Sequence, residues 1–313
     1  MNVLLFPGQG SQVVGMGSEF YKNFDLVKKI YKEADDRLKY QISKIILEGP
    51  VDQLQLTRNT QPAILTVSYS IFKILEEEFG FNFKSFKYFA GHSLGEYSAL
   101  VSSGSLDFSD ALYLLHERGK AMQEAVPVGE GSMLAVLGLN IEEIRNLMEK
   151  NNNKKGICEI ANDNAEGQVI ISGDKTSVES FQIFLNENKI KSIPLKVSAP
   201  FHCSLMKPAA DSMRDKINNT KFKKPSVEII NNVTANTEND PDIIKTLLID
   251  QIFSTVKWRE SLITMSKAGI KNFIEIGPGK ALTGMVKRTL KNANSFSINS
   301  IADIKKFNDE FKR

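Results

Sequence analysis

The chain is poor in the residues that would place it in several large classes. Its 313 residues include only two cysteines, Cys158 and Cys203, too few for a disulfide framework and without metal-ligand spacing. They read as small packing residues of a protein kept in a reducing compartment. No apolar run reaches the length of a membrane span, because the longest candidates are broken by charge. The segment Met1-Asn2-Val3-Leu4-Leu5-Phe6-Pro7-Gly8 lacks a basic region and a long apolar stretch. It predicts a first strand entering a turn, not a signal peptide. Nor is charge of one sign in excess: a net charge of +3, with Lys and Arg scattered among Asp and Glu, leaves no nucleic-acid footprint. Together these absences predict a cytoplasmic protein without nucleic-acid or membrane partners. What is present suits a globular core, with 42% hydrophobic and 25% charged residues. The length allows one large domain, or a large one carrying a smaller insert.

Periodicity divides the chain unevenly. A strand over 2–6 leads into the loop Gly8-Gln9-Gly10-Ser11-Gln12, followed by helices to about residue 50. Asn59-Thr60-Gln61-Pro62 predicts the capped start of a helix over 62–79, since Asn or Thr suits the cap and Pro the first turn. A further helix is expected over 109–125, begun by Ser109 or Asp110. Such alternation predicts an α/β protein with a mostly parallel sheet covered by helices. Residues 131–198 differ. Strands are expected at 132–139, 156–162, 168–172 and 191–197, with helices at 141–150 and 176–188 and a turn over 163–167. That order, βαββαβ, is ferredoxin-like. The expected division is therefore a large domain of residues 1–127 and 199–313 with a small domain, 128–198, inserted into it. Pro127-Val128-Gly129 and Ser198-Ala199-Pro200 would be the hinges. The large domain then resumes with strands near 226–231 and, last, 271–276, before a helix from about 281.

Gly91-His92-Ser93-Leu94-Gly95 lies between a strand-like run, 86–90, and a helix-like run, 96–101. G-x-S-x-G in that setting reads as a nucleophile elbow, whose sharp turn exposes the serine at the carboxyl end of the sheet. A serine needs a base, and there are three histidines. His92 should point away from its neighbour and His116 lies inside a helix. By elimination the base is His202, in a loop re-entering the large domain. No acidic residue can be chosen by spacing as the third member. Arg118 falls in the apolar stripe of its helix, at i+3/i+4 from Leu114/Leu115 and Met122. Either an internal ion pair or a fork for a substrate carboxylate would account for it. The backbone N–H of Gln9, after the first strand, suits an oxyanion site together with that of Leu94.

The whole set of motifs resembles the malonyl-CoA:acyl carrier protein transacylases. The resemblance rests on Phe6-Pro7-Gly8-Gln9-Gly10-Ser11-Gln12, Thr60-Gln61-Pro62-Ala63, Gly91-His92-Ser93-Leu94-Gly95-Glu96-Tyr97, Arg118-Gly119, Asn162-Asp163-Asn164, Pro200-Phe201-His202, Asn231-Asn232-Val233 and Glu275-Ile276-Gly277-Pro278-Gly279-Lys280, in that order along nearly the whole chain. It implies an α/β-hydrolase-like large domain with a ferredoxin-like insert. It further implies that Ser93 takes the malonyl group from malonyl-CoA, that His202 is the base, and that the backbone carbonyl of Gln251 orients it. Gln9 and Leu94 would form the oxyanion hole, and Arg118 would hold the malonyl carboxylate. Gln61 and Asn162 would help bind substrate. Phe201 would fill the space an α-methyl group needs, as Leu94 after the serine also suits malonyl choice.

The resemblance implies no metal or prosthetic group: malonyl-CoA and the phosphopantetheine of an acyl carrier protein are substrates. The carrier is acidic in this family, so a basic face is expected, with Lys189 and Lys191 or Lys287 and Arg288 as candidates. A free-standing, monomeric subunit of fatty-acid synthesis is expected. A polyketide-pathway acyltransferase would look almost the same. An acyl-thioester hydrolase would share Ser93 and His202 but admit water, against the grain of Arg118, and a docking module would have no need of the full set.

Overall fold

Residues Val3 to Phe6 are apolar without interruption, which suits a strand covered on both faces, and all four are buried. They belong to the first of ten strands: β1 (Asn2–Phe6), β2 (Tyr88–Gly91), β3 (Gly131–Leu137), β4 (Cys158–Ala165), β5 (Gln168–Asp174), β6 (Ser192–Pro194), β7 (Glu228–Ile230), β8 (Thr237–Glu238), β9 (Asn272–Ile276) and β10 (Asn294–Ile298). The computed structural model describes residues 1–151, 156–197 and 199–311. Six strands form one sheet in the order β10-β9-β1-β2-β7-β8, with every pairing parallel except β7 to β8. The order reverses around β1, so β1 and β2 lie side by side and their carboxyl ends open at one place. One apolar cluster, including Leu4, Phe6 and Phe89, packs on one face of the sheet, and a second, with Val3, Leu5, Trp258 and Phe273, on the other.

The other four strands form an antiparallel sheet, β4-β5-β3-β6. Helices Ile141–Lys150 and Lys175–Glu187 cover it through Ile144, Phe181 and Leu185. Capping chemistry sets both helix starts: Asn140 and Glu143 form a capping box, and Asp174 accepts from Ser177 N–H. Along β4 this sheet is stitched to the loop 252–257, which precedes helix Trp258–Lys267. Asp163 N–H donates to Val256 O (3.0 Å), Val256 N–H to Ala161 O (2.9 Å) and Thr255 Oγ1 to Ile160 O (2.6 Å). Beside them Arg259 Nε lies 3.0 Å from both carboxylate oxygens of Asp163.

Several expected boundaries move. The turn expected over 163–167 is instead strand as far as Ala165, because the seam with Val256 extends β4 through two register shifts. The strand expected over 191–197 shortens to β6, and Ser198 of the second hinge lies outside the described residues. The helix expected over 62–79 begins at Thr57, with no side-chain cap, and ends at Glu77. Pro62 sits inside it. The carbonyl of Arg58, which a proline N–H could not have reached, accepts instead from His116 Nδ1 at 3.1 Å. Thr60, expected to cap, lies inside the helix instead, and its Oγ1 donates back to Leu54 O and Leu56 O. The helix placed at 109–125 is Phe108–Glu124, flanked by Asp107. The strand expected as the last is followed by β10 and helix Ile301–Phe311. β10 is a sheet edge carrying Ser295 and Ser297, so its polar alternation gives little strand signal.

Candidate active site

At the carboxyl end of β2 the chain must turn sharply into helix Gly95–Ser102. Two close approaches dictate the glycines. A Cβ on Gly91 would lie 1.9 Å from the Gly95 carbonyl, and one on Gly95 would lie 2.3 Å from Phe6 O. Between them Ser93 takes φ +52°, a conformation costing a non-glycine residue about 1–3 kcal/mol. Asn232, after β7, braces the turn: Ser93 N–H donates to its Oδ1 (2.7 Å) while its Nδ2 donates to Gly91 O (2.7 Å).

Ser93 Oγ faces His202 Nε2 at 2.8 Å, and His202 Nδ1 faces Gln251 O at 2.8 Å. A carbonyl only accepts, so Nδ1 carries the proton and Nε2 presents a lone pair to the serine hydroxyl. Burial, and then the Arg118 charge, push the His202 imidazole down to about 3. It is therefore neutral, the state a base requires, through the physiological range. His202 also has positive φ, +58°, so both partners of the pair are held in strained backbone. The other histidines are engaged elsewhere: His92 Nε2 with Asn164 Oδ1 (2.8 Å), and His116 with Arg58 O and Tyr40.

Arg118 is 1% exposed. Gly119 brings its helix hard against the start of helix Thr57–Glu77, and Arg118 Nη1 donates to Gln61 Oε1 at 2.8 Å. Nη2 donates to Gln251 Oε1 (2.9 Å) and to Ser93 Oγ (3.3 Å), while Nε has no partner. The guanidinium makes no salt bridge among the described residues. Burial lowers its pKa, outweighing the opposing pull of Tyr97 and Glu96 nearby. Of the two explanations the sequence left open, an internal ion pair is thus absent, and a buried fork stands beside a serine hydroxyl.

These groups meet in a cavity of about 380 Å³ between the two sheets. Ser93, His202, Arg118 and Gln61 line its floor, with Gln9, Asn162 and Phe201 around them. Leu94 and Gln251 are fully buried below it. Gly8 rests on the elbow, where an added Cβ would lie 2.6 Å from His92 O, so the Gln9 loop and the Leu94 turn share one rim. The backbone N–H groups of Gln9 and Leu94 donate to no other described residue. Sequence reasoning missed the bracing role of Asn232, the side chain of Gln251 and the buried carboxylate of Glu96. Glu96 and Asn232 stand inside the quoted motifs, but only their meeting across the fold gives them work to do. The arrangement can deprotonate Ser93, hold an anion at Arg118 and receive an oxyanion at the rim.

Comparison with known proteins fits this geometry. The chain matches the family described as Acyl transferase domain over residues 3–312. It is 42% identical over 295 residues to the Malonyl CoA-acyl carrier protein transacylase of Bacillus subtilis (strain 168), covering 94% of this chain and 92% of the relative. The acyl-carrier-protein-S-malonyltransferase of Bartonella henselae superposes with a TM-score of 0.96 at 39% identity, covering 100% and 99% of the two chains. A malonyl-transacylase solved in complex with its type II PKS acyl-carrier protein gives 0.94 at 36% identity, over 99% of each. With an elbow serine, a neutral histidine and an unpaired buried arginine in one cavity, and relatives alike over their whole length, the chain belongs to the malonyl CoA-acyl carrier protein transacylase family of acyl transferases.

Proposed function

We propose that this protein transfers the malonyl group from malonyl-CoA to the phosphopantetheine thiol of an acyl carrier protein, supplying fatty-acid synthesis, through a malonyl-Ser93 ester. The observation that carries the reading is Arg118, a buried guanidinium with no carboxylate partner, 3.3 Å from Ser93 Oγ. A malonyl group offers the missing carboxylate at the distance where its thioester carbonyl can meet the serine.

His202 Nε2 takes the Ser93 proton as Oγ attacks the thioester carbonyl, and the backbone N–H groups of Gln9 and Leu94 receive the oxyanion. The C–S bond breaks and the CoA sulfur takes the proton back from His202. The carrier thiol then gives its proton to His202 and attacks the ester, and Ser93 leaves with that proton. Atoms and protons balance without a metal or prosthetic group. Thioester is exchanged for thioester, so the main demand is to keep water from the ester, which a cavity closed on two sides by sheets serves. Phe201 and Asn162 are assigned to acyl fit and substrate binding from their place on the wall. An α-methyl against the Phe201 ring is worth about 1–3 kcal/mol, so preference for malonyl over methylmalonyl is graded.

The acidic carrier is assigned to the cavity mouth. Helix Ala281–Thr289 lines the cavity with Leu282 and Met285 and carries Lys287 and Arg288, exposed, on its outer side. Arg288 reaches Gln168 of β5 at 2.9 Å, spanning the rim. Lys189 and Lys191 are also exposed.

Intact-protein mass spectrometry after brief incubation with malonyl-CoA tests the reading. A malonyl adduct is expected that is absent in Ser93→Ala and discharged by holo-carrier protein. An adduct lost to water alone would make the protein a hydrolase, and no adduct would leave a docking module.

A further inference from the structure

Glu96 lies three residues after Ser93, directly behind the elbow, and is 1% exposed. A carboxylate so deeply buried must be surrounded by donors, and three are present. Asn231 Nδ2 donates to its Oε1 at 2.6 Å; Asn232 N–H and Gln251 Nε2 donate to its Oε2 at 3.1 and 2.8 Å. None of the three can accept a proton in that orientation. The carboxylate therefore fits the pocket ionised, and a protonated Glu96 would set a hydrogen against a donor.

Gln251 is the residue through which this matters. Its backbone carbonyl orients His202, and its side chain bridges Arg118 and Glu96 while also donating to Ser93 O at 3.1 Å. The amide can accept from Arg118 only if its NH2 points the other way, and Glu96 is the acceptor waiting there. Turned over, the amide would present NH2 to a guanidinium. We infer that ionised Glu96 is a positioning residue that locks the Gln251 amide, and through it holds both His202 and Arg118 in their working orientations. This rests on the acyl-serine reading above.

The charged and titratable groups facing Glu96 are few. Arg118 approaches from helix Phe108–Glu124, with the Tyr97 ring beneath its guanidinium at 5.9 Å, and His202 lies beyond Gln251. Burial raises the Glu96 carboxyl to about 7, against the opposing pull of its three donors and Arg118. His202, at about 3, stays neutral far below that. An acid limb near pH 7 in the acylation rate would therefore come from Glu96: as pH falls the carboxyl protonates, the lock is lost and the rate drops.

The test is the single-turnover rate of Ser93 malonylation against pH for the wild type, Glu96→Gln and Asn231→Asp. Glu96→Gln, which places an NH2 among donors, is expected to acylate up to about 100-fold more slowly and to lose the limb near pH 7. Asn231→Asp keeps Glu96 but sets a second carboxyl against it, so the limb is expected to move upward by a unit or more, with the rate recovered at high pH. If Glu96→Gln fails to fold, the Asn231→Asp shift decides. A limb at the same pH in all soluble variants, or a wild-type rate flat from pH 8 to 5, would overturn the lock while leaving acyl transfer intact. A wild type that forms no adduct would remove the function itself, and the lock with it.

Discussion

Arg118 concentrates the chemistry of this protein at a single residue. Its side chain sits where an aliphatic residue would complete the helix stripe, and burial without a direct salt bridge leaves it able to receive an anion. Acetyl-CoA would leave that charge unpaired in the acylated enzyme, a penalty of about 2–5 kcal/mol. Arg118→Ala is accordingly expected to lower kcat/KM for malonyl-CoA by about 30-fold or more while lowering that for acetyl-CoA much less. Steady-state kinetics with the two thioesters checks it. Equal losses on both would mean that Arg118 supports the fold of the site and does not read the carboxylate.

At the scale of elements, the site depends on how closely two helices approach. Gly119 lies on helix Phe108–Glu124 against the first turn of helix Thr57–Glu77, where a Cβ would meet Thr57 O at 2.5 Å and Arg58 N and Cα at 2.7 Å. All three are backbone atoms and cannot swing aside. Alanine would gain about 1 kcal/mol in helix propensity, but overpacking against backbone costs about 1–3 kcal/mol and here sits at the upper end. Gly119→Ala is therefore expected to be destabilised, with a thermal midpoint several degrees lower. Because the helices must part, the Arg118–Gln61 bond should loosen and KM for malonyl-CoA rise. Thermal unfolding and kinetics on one sample test both halves, and an unchanged or raised midpoint would show that the helices can separate freely.

For the whole molecule, the small sheet is tied along β4 to Val256 by backbone bonds and to helix Trp258–Lys267 by the Asp163–Arg259 pair, a few residues beyond Gln251. The cavity is thus set between two braced walls. With a net charge of only +3, attraction of an acidic partner depends on where the cations lie. Exposed Lys287 and Arg288 stand on the helix at the cavity mouth. The double variant Lys287→Glu/Arg288→Glu is expected to raise KM for the carrier protein by about tenfold and to blunt its salt dependence, with a smaller effect on acylation by malonyl-CoA. Transfer kinetics at two ionic strengths checks this, and an unchanged KM for the carrier would move the docking face elsewhere, Lys189 and Lys191 first.

Local chemistry decided a good deal by itself. An uninterrupted apolar run wrote β1, glycines at both ends of the elbow wrote the turn at Ser93, and scarcity of histidine singled out His202. An arginine in an apolar stripe marked Arg118 as out of place. Each is a short-range signal: a period, a forced backbone angle, a residue type at odds with its neighbours. Other features came only with the tertiary structure. Thr57 rather than Pro62 opens its helix because His116, 54 residues past Pro62, supplies the donor that proline lacks. β4 runs on to Ala165 because Val256 pairs with it, and β10 reads as polar because an edge strand buries little. The brace of Asn232 on the elbow and the bond of Glu96 to Gln251 span more than a hundred residues of chain. Such partners share no period and no local motif, and only the packing of distant segments around the buried Arg118 and Glu96 decides which donors and acceptors meet.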